Sequence, residues 1–202
     1  MSKVLLINGS PHEKGCTYTA LSEVIKVLNE KGVETELAWI GTKPIAGCID
    51  CSACRKLGRC VFDDAVNEIA RSLDSSDALV VGSPVYYAGP SGQLCCLLDR
   101  LFHCYGSHLK GKIGAAVVSC RRAGGASAFD RLNKYFTISS MIVPGSQYWN
   151  QVHGYTPEDV AKDEEGLQTM RTLAQNIAFL LEADQKRIKP MPESPRMWTN
   201  YI

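Results

Sequence analysis

Short apolar runs alternate along this chain with longer stretches of helical periodicity, and this alternation limits the folds it can adopt. Residues 3–8, 78–81 and 112–119 are apolar runs rich in Val, Leu, Ile and Ala, while residues 33–40 alternate in a β-rich pattern. Continuous apolar runs are typical of parallel strands buried on both faces. A fifth strand is predicted to begin at residues 140–143, with no clear far end. The pattern predicts an α/β fold with a doubly wound, five-stranded parallel sheet and helices on both faces.

Helical segments separate the predicted strands. Gly32 ends the first helix, and Asp63 is predicted to cap the second. Thr156, followed by Pro157, starts the last helix with a capping hydroxyl and a first-turn proline. The residues predicted to face the core recur at helical spacing: Leu21, Val24, Ile25, Leu28, Val66, Ile69, Leu73, Leu94, Leu97, Leu98, Leu101, Leu132, Tyr135, Phe136, Leu167, Met170, Leu173, Ala174, Ile177 and Leu181.

The length of 202 residues fits one domain, which we place at residues 1–185. The remaining tail, residues 186–202, holds three prolines and ends in aromatic residues. Its tip is too apolar for a free tail. We therefore expect the tail to pack on its own domain or on a partner subunit.

Charge and hydropathy exclude several classes of protein. The 22 Lys and Arg residues balance 21 Asp and Glu residues, and a nucleic-acid binder needs a concentrated basic face instead. No apolar run approaches the roughly 18 residues of a membrane span. The first residues are typical of a strand and not of a signal peptide. We expect a cytoplasmic protein with no nucleic-acid or membrane partner.

Three loops follow the carboxyl ends of predicted strands, the edge where open parallel α/β sheets bind ligands. The first, residues 8–18, supplies hydroxyls and a helix N-terminus, which suits a phosphate group; a plain capping loop is the alternative. It has neither a Walker ending nor a G-x-G-x-x-G turn, so nucleoside triphosphate and dinucleotide sites are disfavoured.

The second and third loops offer an aromatic surface and a cationic rim. In residues 82–89, Tyr86 and Tyr87 present flat surfaces either to an aromatic ligand or to a subunit contact. Residues 119–125 combine two arginines with two glycines, which suits either an anionic ligand or a solvated surface loop.

Two motifs carry a resemblance to a known family. The segment from Gly9 to Thr17, GSPHEKGCT, resembles a GSPR-x-x-GNT phosphate loop, with His12 at the position of a common Arg and Cys16 at that of a common Asn. The segment 83–92, SPVYYAGPSG, is similar to an SP-x-Y-x-x-x-x-SG flavin loop. The chain thus resembles the NAD(P)H-dependent FMN reductase family of the flavodoxin-like superfamily.

The resemblance implies a flavodoxin-like fold and an FMN-dependent oxidoreductase. Such an enzyme takes hydride from NAD(P)H and passes electrons to a small acceptor such as a quinone, a flavin, an azo compound or a nitro compound. The cofactor carries the chemistry, so no catalytic acid or base is assigned. A homodimer or homotetramer is expected. The resemblance implies these FMN-binding residues: Ser10, His12, Cys16, Thr17, Tyr18, Pro84, Val85, Tyr86, Tyr87, Gly89, Ser119, Arg121, Arg122 and Gly124.

Four of the nine cysteines cluster between the second strand and the next helix. Cys48, Cys51, Cys54 and Cys60 follow a C-x2-C-x2-C-x5-C spacing, and such thiolates can hold a [4Fe–4S] cluster or, alternatively, zinc. The spacing resembles the compact motif of iron–sulfur flavoproteins. The loop can instead carry free thiols over the flavin edge.

Two alternative functions follow from this loop. One is an iron–sulfur flavoprotein that relays single electrons between a ferredoxin-like donor and FMN. The other is a non-catalytic flavodoxin-like module that uses the thiols as a redox sensor. Three further cysteines are predicted to be small core residues: Cys95, Cys96 and Cys104.

Overall fold

A sheet of five parallel strands forms the centre of the molecule, whose computed structural model describes residues 2–185. The strand order is β2-β1-β3-β5-β6, so the order reverses between β1 and β3, and the predicted flavodoxin-like architecture is confirmed. A two-residue strand, β4, pairs antiparallel with the end of β3. The strands are β1 (Lys3–Asn8), β2 (Glu34–Trp39), β3 (Ala78–Tyr86), β4 (Gly89–Pro90), β5 (Ile113–Cys120) and β6 (Gln151–His153).

Helices cover both faces of this sheet. Helices α1 and α7 pack on one face, and α3, α4 and α5 pack on the other. No helix within residues 2–185 is long and apolar enough to span a bilayer. The helices are α1 (Cys16–Glu30), α2 (Cys54–Leu57), α3 (Ala65–Asp74), α4 (Gly92–Tyr105), α5 (Gly125–Ile138), α6 (Pro157–Val160) and α7 (Glu164–Gln185), with a 3-10 turn at Gly106–Leu109.

The pleat of each strand divides the core into two layers. In β1, Leu5 and Ile7 point toward α3, α4 and α5, while Val4 and Leu6 point toward α1 and α7. All four side chains are fully buried. Because both faces are covered, the strand must be apolar along its whole length, which explains the continuous runs in the sequence.

The fifth parallel strand does not lie at residues 140–143, where it was predicted to begin, but at β6. Around Ile142 the chain makes only an isolated bridge, to Ile113 at the start of β5. Pro144 then lacks the N–H group that a continued ladder needs. The chain returns at residues 151–153, where β6 pairs with the end of β5.

Two helix predictions also need correction. Asp64, and not Asp63, caps α3, because its side chain accepts a hydrogen bond from the N–H group of Val66. The helix predicted from Thr156 is two helices. Thr156 does form a capping box, but α6 ends at Val160 and α7 starts afresh at Glu164. The predicted packing of residues 186–202 lies outside the described residues.

Close packing of α1 on β3 yields a first testable prediction. A Cβ atom on Gly82 would lie 2.7 Å from Leu21 Cδ1 and 2.9 Å from Thr17 Cγ2. We expect Gly82→Ala to lower the free energy of unfolding by about 1–3 kcal/mol, since overpacking forces neighbours to shift. Urea denaturation measures this loss. Gly92→Ala is the control, because a Cβ there meets nothing within 4 Å, and an equal loss in both variants would contradict the prediction.

Candidate functional site

The loop between β1 and α1 is held in shape by its own polar side chains. Asn8, the last residue of β1, accepts a hydrogen bond from the N–H group of Ser10 at 3.1 Å and donates one to the carbonyl of Glu13 at 2.9 Å. The Ser10 hydroxyl in turn accepts a bond from the N–H group of His12. Both Asn8 and Ser10 are buried. The loop is therefore fixed before any ligand arrives.

The N-terminus of α1 is open toward this loop. Its N-cap residue is Gly15, which provides no side-chain hydrogen bond to the first turn. In contrast, side chains cap α3, α4 and α6, those of Asp64, Ser91 and Thr156 respectively. The first N–H groups of a helix have no partner within the helix and attract anions. The α1 terminus thus offers donors to a negatively charged group.

A buried hydroxyl pair joins this terminus to the end of β5. The Oγ1 atom of Thr17 and the Oγ atom of Ser119 lie 2.8 Å apart, and both residues are buried. Cys16 lies beside them and is half-buried, with its thiol directed at the carbonyl of Gly154. Burial raises the pKa of the Cys16 thiol, which keeps it protonated and neutral near the anion-attracting helix terminus.

The aromatic loop after β3 is turned outward by strained backbone. Tyr87 and Ala88 have φ angles of 50° and 61°, in the left-handed region that residues other than glycine rarely adopt. The Tyr87 side chain is fully exposed and that of Tyr86 is half-exposed. Pro84, Val85 and Gly89 form the partly buried base of the hairpin. The loop therefore presents flat aromatic surface to solvent, in a conformation that its own contacts maintain.

The loop after β5 packs directly against this aromatic loop. Gly124 has a φ of 88° and is the N-cap of α5, again without a side-chain cap. A Cβ atom there would lie 2.7 Å from the Cα atom of Ala88, so the contact requires glycine. Arg121 and Arg122 are exposed on the same loop. The guanidinium of Arg121 lies over the ring of Tyr155, 5.4 Å from its centroid.

The structure brings the three predicted loops to one edge of the sheet and adds residues that the sequence patterns missed. Trp39, at the end of β2, donates its indole N–H to the carbonyl of Ser10 at 2.8 Å. Tyr155 follows β6 and, with Trp39, lines a cleft of about 550 Å³ beside the first loop. Asn8, which orders the first loop, could have been identified from the sequence, because a buried amide at the end of an apolar strand needs polar partners.

The four clustered cysteines face one narrow cavity. Cys48, Cys51, Cys54 and Cys60 line it together with residues of α4, among them Cys104. Asp50 and Ser52 have positive φ angles of 49° and 54°, which turn the chain between the first cysteines. All four are free thiols. The four cysteines of the loop therefore border a common space, Cys48 and Cys51 from exposed positions and Cys54 and Cys60 from half-buried ones.

The thiols are not arranged around one ion. Within residues 2–185, no three His, Cys, Asp or Glu side chains are placed to hold a single metal ion. A zinc ion 2.3 Å from each sulfur needs sulfurs about 3.8 Å apart. The thiolates of a [4Fe–4S] cluster bind four different irons, so their sulfurs stand farther apart. A donor set of four thiols around a shared cavity fits a cluster better than zinc.

A buried arginine on α4 forms the floor of this cavity, and no sequence pattern identified it. The Arg100 side chain is 1% exposed and forms a two-pronged ion pair with Asp64, at 2.7 and 2.8 Å. Its Nε–H group donates to the Cys60 sulfur at 3.2 Å. Arg100 lies among inward-facing leucines of α4. A charged residue within such an apolar stripe needs a buried partner, and this was the sign in the sequence that pointed to Arg100.

Cys104 differs chemically from the four loop cysteines. It is half-buried under the loop, and burial, together with the nearby Cys60 and Cys54, raises the pKa of its thiol to about 11 from an ordinary value of 9.0. Cys95 and Cys96 are also half-buried on α4, so the prediction of core cysteines holds only in part.

The raised pKa predicts the pH dependence of alkylation at Cys104. The thiolate is the reactive form, so at pH 8 Cys104 should carry about a hundredfold less of it than an ordinary cysteine. Its reaction with iodoacetamide, followed by peptide mass spectrometry, should therefore still accelerate between pH 9 and 11. A rate that levels off near pH 9 would contradict the burial argument.

Comparison with known proteins agrees with this geometry. A family model described as NADPH-dependent FMN reductase matches residues 2–156. The chain is 34% identical over 192 residues to an iron–sulfur flavoprotein of Methanocaldococcus jannaschii, covering 91% of this chain and 100% of that protein. It is 31% identical over 188 residues to an iron–sulfur flavoprotein of Methanosarcina thermophila, covering 91% of this chain and 97% of that protein.

A solved structure agrees at the level of the fold. A flavodoxin from the domain Archaea superimposes with a TM-score of 0.60 at 16% identity, covering 90% of this chain and 99% of that one. One conclusion follows from the family match, from the relatives of nearly full length and from the three-loop edge, the edge of the sheet that carries the loops 8–18, 82–89 and 119–125. The chain belongs to the NADPH-dependent FMN reductase family of flavoprotein oxidoreductases and, by its identity to these relatives, to the iron–sulfur flavoproteins.

Proposed function

We propose that this chain binds FMN at the three-loop edge and a [4Fe–4S] cluster at the cysteine loop, and that it passes electrons between them to a small acceptor. The observation that carries the proposal is the single cavity lined by Cys48, Cys51, Cys54 and Cys60. Relatives of nearly full length are iron–sulfur flavoproteins by name. Four cysteines that line one cavity form a donor set that suits an iron–sulfur cluster.

The FMN phosphate suits the open N-terminus of α1. The uncapped N–H groups after Gly15 supply charge-complementary donors, and the hydroxyls of Ser10 and Thr17 lie next to them. Tyr18 is half-buried in the same first turn. His12 is exposed at the mouth of the loop, where a ring N–H group is available to a phosphate oxygen.

The isoalloxazine suits the aromatic loop and the loop after β5. When bound, FMN supplies chemistry in steps of one or two electrons, which lets it exchange with donors of both kinds. Tyr86 and Tyr87 offer stacking surface, and the second uncapped helix terminus, at Gly124, directs N–H groups toward negative charge. Exposed Arg122 lies on the same loop and adds positive charge there.

Helix α4 connects the two sites. Its N-cap, Ser91, donates to the carbonyl of Gly9 in the phosphate loop at 2.7 Å. Gln93, one residue into the helix, donates to the carbonyls of Gly41 and Lys43 at the start of the cysteine loop. Arg100 lies eight residues after Gly92, about 12 Å along the helix axis. The flavin edge and the thiol cavity are thus separated by a short, rigid element.

A second candidate function is direct transfer of hydride from NAD(P)H to the bound flavin. The reduced flavin then passes electrons to a quinone, a free flavin, an azo compound or a nitro compound. The fully exposed face of Tyr87 and the NADPH in the description of the family favour this function. It leaves the cysteine loop without a part in the reaction. The thiol-sensor function predicts that oxidation of the loop, and not bound iron, controls the protein.

Self-association is part of the proposal. Tyr148 and Trp149, just before β6, pack on each other and remain about half-exposed, and Tyr155, just after β6, is exposed as well. Exposed aromatic clusters of this kind mark contact surfaces. We expect a homodimer or homotetramer that covers them.

Iron content tests the cluster directly. Chain purified without oxygen should contain about four irons and four sulfides, as a cubane cluster requires, and Cys54→Ser should lose them while keeping FMN. Cys95→Ser, a half-buried cysteine of α4 outside the cavity, is the matched control and should keep both. Flavin bands with no iron in the wild-type chain would favour the NAD(P)H reductase, and rapid reduction of that iron-free flavin by NADPH would establish it.

The phosphate site has its own test. Thr17→Val removes a hydroxyl beside the α1 terminus, and a hydrogen bond to a charged group contributes about 1.5–3 kcal/mol. We expect FMN to bind roughly 10- to 100-fold more weakly, as measured by quenching of flavin fluorescence. Thr19→Val is the control, because that hydroxyl bonds back to the carbonyl of Gly15 within α1. Equal affinity in the two variants would place the phosphate elsewhere.

A further inference from the structure

We propose that Arg100 is the positioning residue of the cysteine loop and that, with Asp64, it sets the reduction potential of the cluster held there. This inference rests on the proposed function, since it concerns the group that the four thiols bind. Neither residue supplies a ligand to iron. Their role is to hold one ligand, Cys60, and to fix the charge next to it.

The contacts of Arg100 gather the two ends of the loop onto α4. Its guanidinium donates to the carbonyl of Ala46, before the first cysteine, and to the carbonyl of Phe62, after the last. It also lies over the ring of Phe62, 4.8 Å from the centroid. With the bond to the Cys60 sulfur, one side chain reaches both boundaries of the loop and one of its thiols. Removing it releases several contacts together.

Asp64 holds the guanidinium in this position. The pair is two-pronged, which fixes the plane of the guanidinium as well as its location. Asp64 is also the N-cap of α3, so its own place is set by the first turn of that helix. Asn67 of α3 bonds the backbone N–H and carbonyl of Cys60 at 2.9 and 3.1 Å. The last cysteine is thus held from α3 and from α4.

Buried charge next to a ligand sulfur changes how readily the bound group accepts an electron. Reduction adds one negative charge, and a hydrogen bond or cation at the sulfur stabilises the added charge and raises the potential. Burial of Arg100 weakens solvent screening of this effect. Asp64 acts in the opposite direction, because its carboxylate offsets part of the positive charge. The two residues therefore have effects of opposite sign.

The test is a redox titration of the iron-loaded protein with dithionite, a one-electron reductant, followed by electron paramagnetic resonance. For Arg100→Gln we expect the equilibrium constant for reduction to fall at least tenfold, a shift of about −59 mV for one electron. Asp64→Asn should shift the potential upward, and asparagine still caps α3. Arg55→Gln removes an exposed charge next to Cys54 and is the control, which should change the constant less than threefold.

Opposite shifts cannot come from a purely structural role, because loosening the loop moves both variants in the same direction. Should Arg100→Gln fail to fold, the double variant with Asp64→Asn removes the unpaired carboxylate and should give an intermediate potential. Shifts of the same sign, or an Arg100→Gln value equal to that of Arg55→Gln, would overturn the role of Arg100 alone. A wild-type chain that takes up no iron would instead overturn the proposed function, and with it any cluster for Arg100 to tune.

Discussion

The close approach of β1 and β3, where the strand order reverses, is the constraint on which the rest of the structure depends. The N–H group of Gly9 bonds the carbonyl of Gly82 at 2.9 Å, and the next residues diverge to opposite faces of the sheet. Side chains at these two glycines would collide with Leu94 of α4 and Leu21 of α1. Both helix starts are therefore drawn to one edge, and the divergence between them opens the crevice that flavodoxin-like proteins use.

Helix α4 carries this geometry from the crevice to the cysteine loop. Its N-cap residue, Ser91, is bonded to the phosphate loop, and its third and fourth turns line the thiol cavity through Arg100 and Cys104. The phosphate loop and the loop around Cys60 therefore contact the same helix. Under the proposed function, a fixed helix keeps the distance between the two redox groups constant, and the rate of electron transfer depends on that distance.

The placement of the three loops at one edge of the sheet was predictable because their signals are local. Ser10, Thr17, Tyr86 and Gly124 lie in short motifs that directly follow apolar strands, and parallel strands place their carboxyl ends at one edge. Arg100 was missed because it lies at an inward position among leucines of α4. Its burial is explained only by the ion pair with Asp64, which is distant in the sequence. The fifth strand was misplaced because its pairing is split, with a bridge at Ile142 and a ladder only from Gln151.

By itself, the sequence determined the class of fold, the two layers of core and the four-cysteine motif, since these follow from periodicity and spacing along a few residues. Only the tertiary structure decided which groups meet. Asp64 and Arg100 are 36 positions apart, Thr17 and Ser119 are 102 apart, and Cys16 and Gly154 are 138 apart. Periodicity indicates that a side chain is buried, but it does not indicate which distant residue that side chain contacts. The partner of a buried polar group is set by which helices the sheet order brings together, and that order is a property of the whole chain.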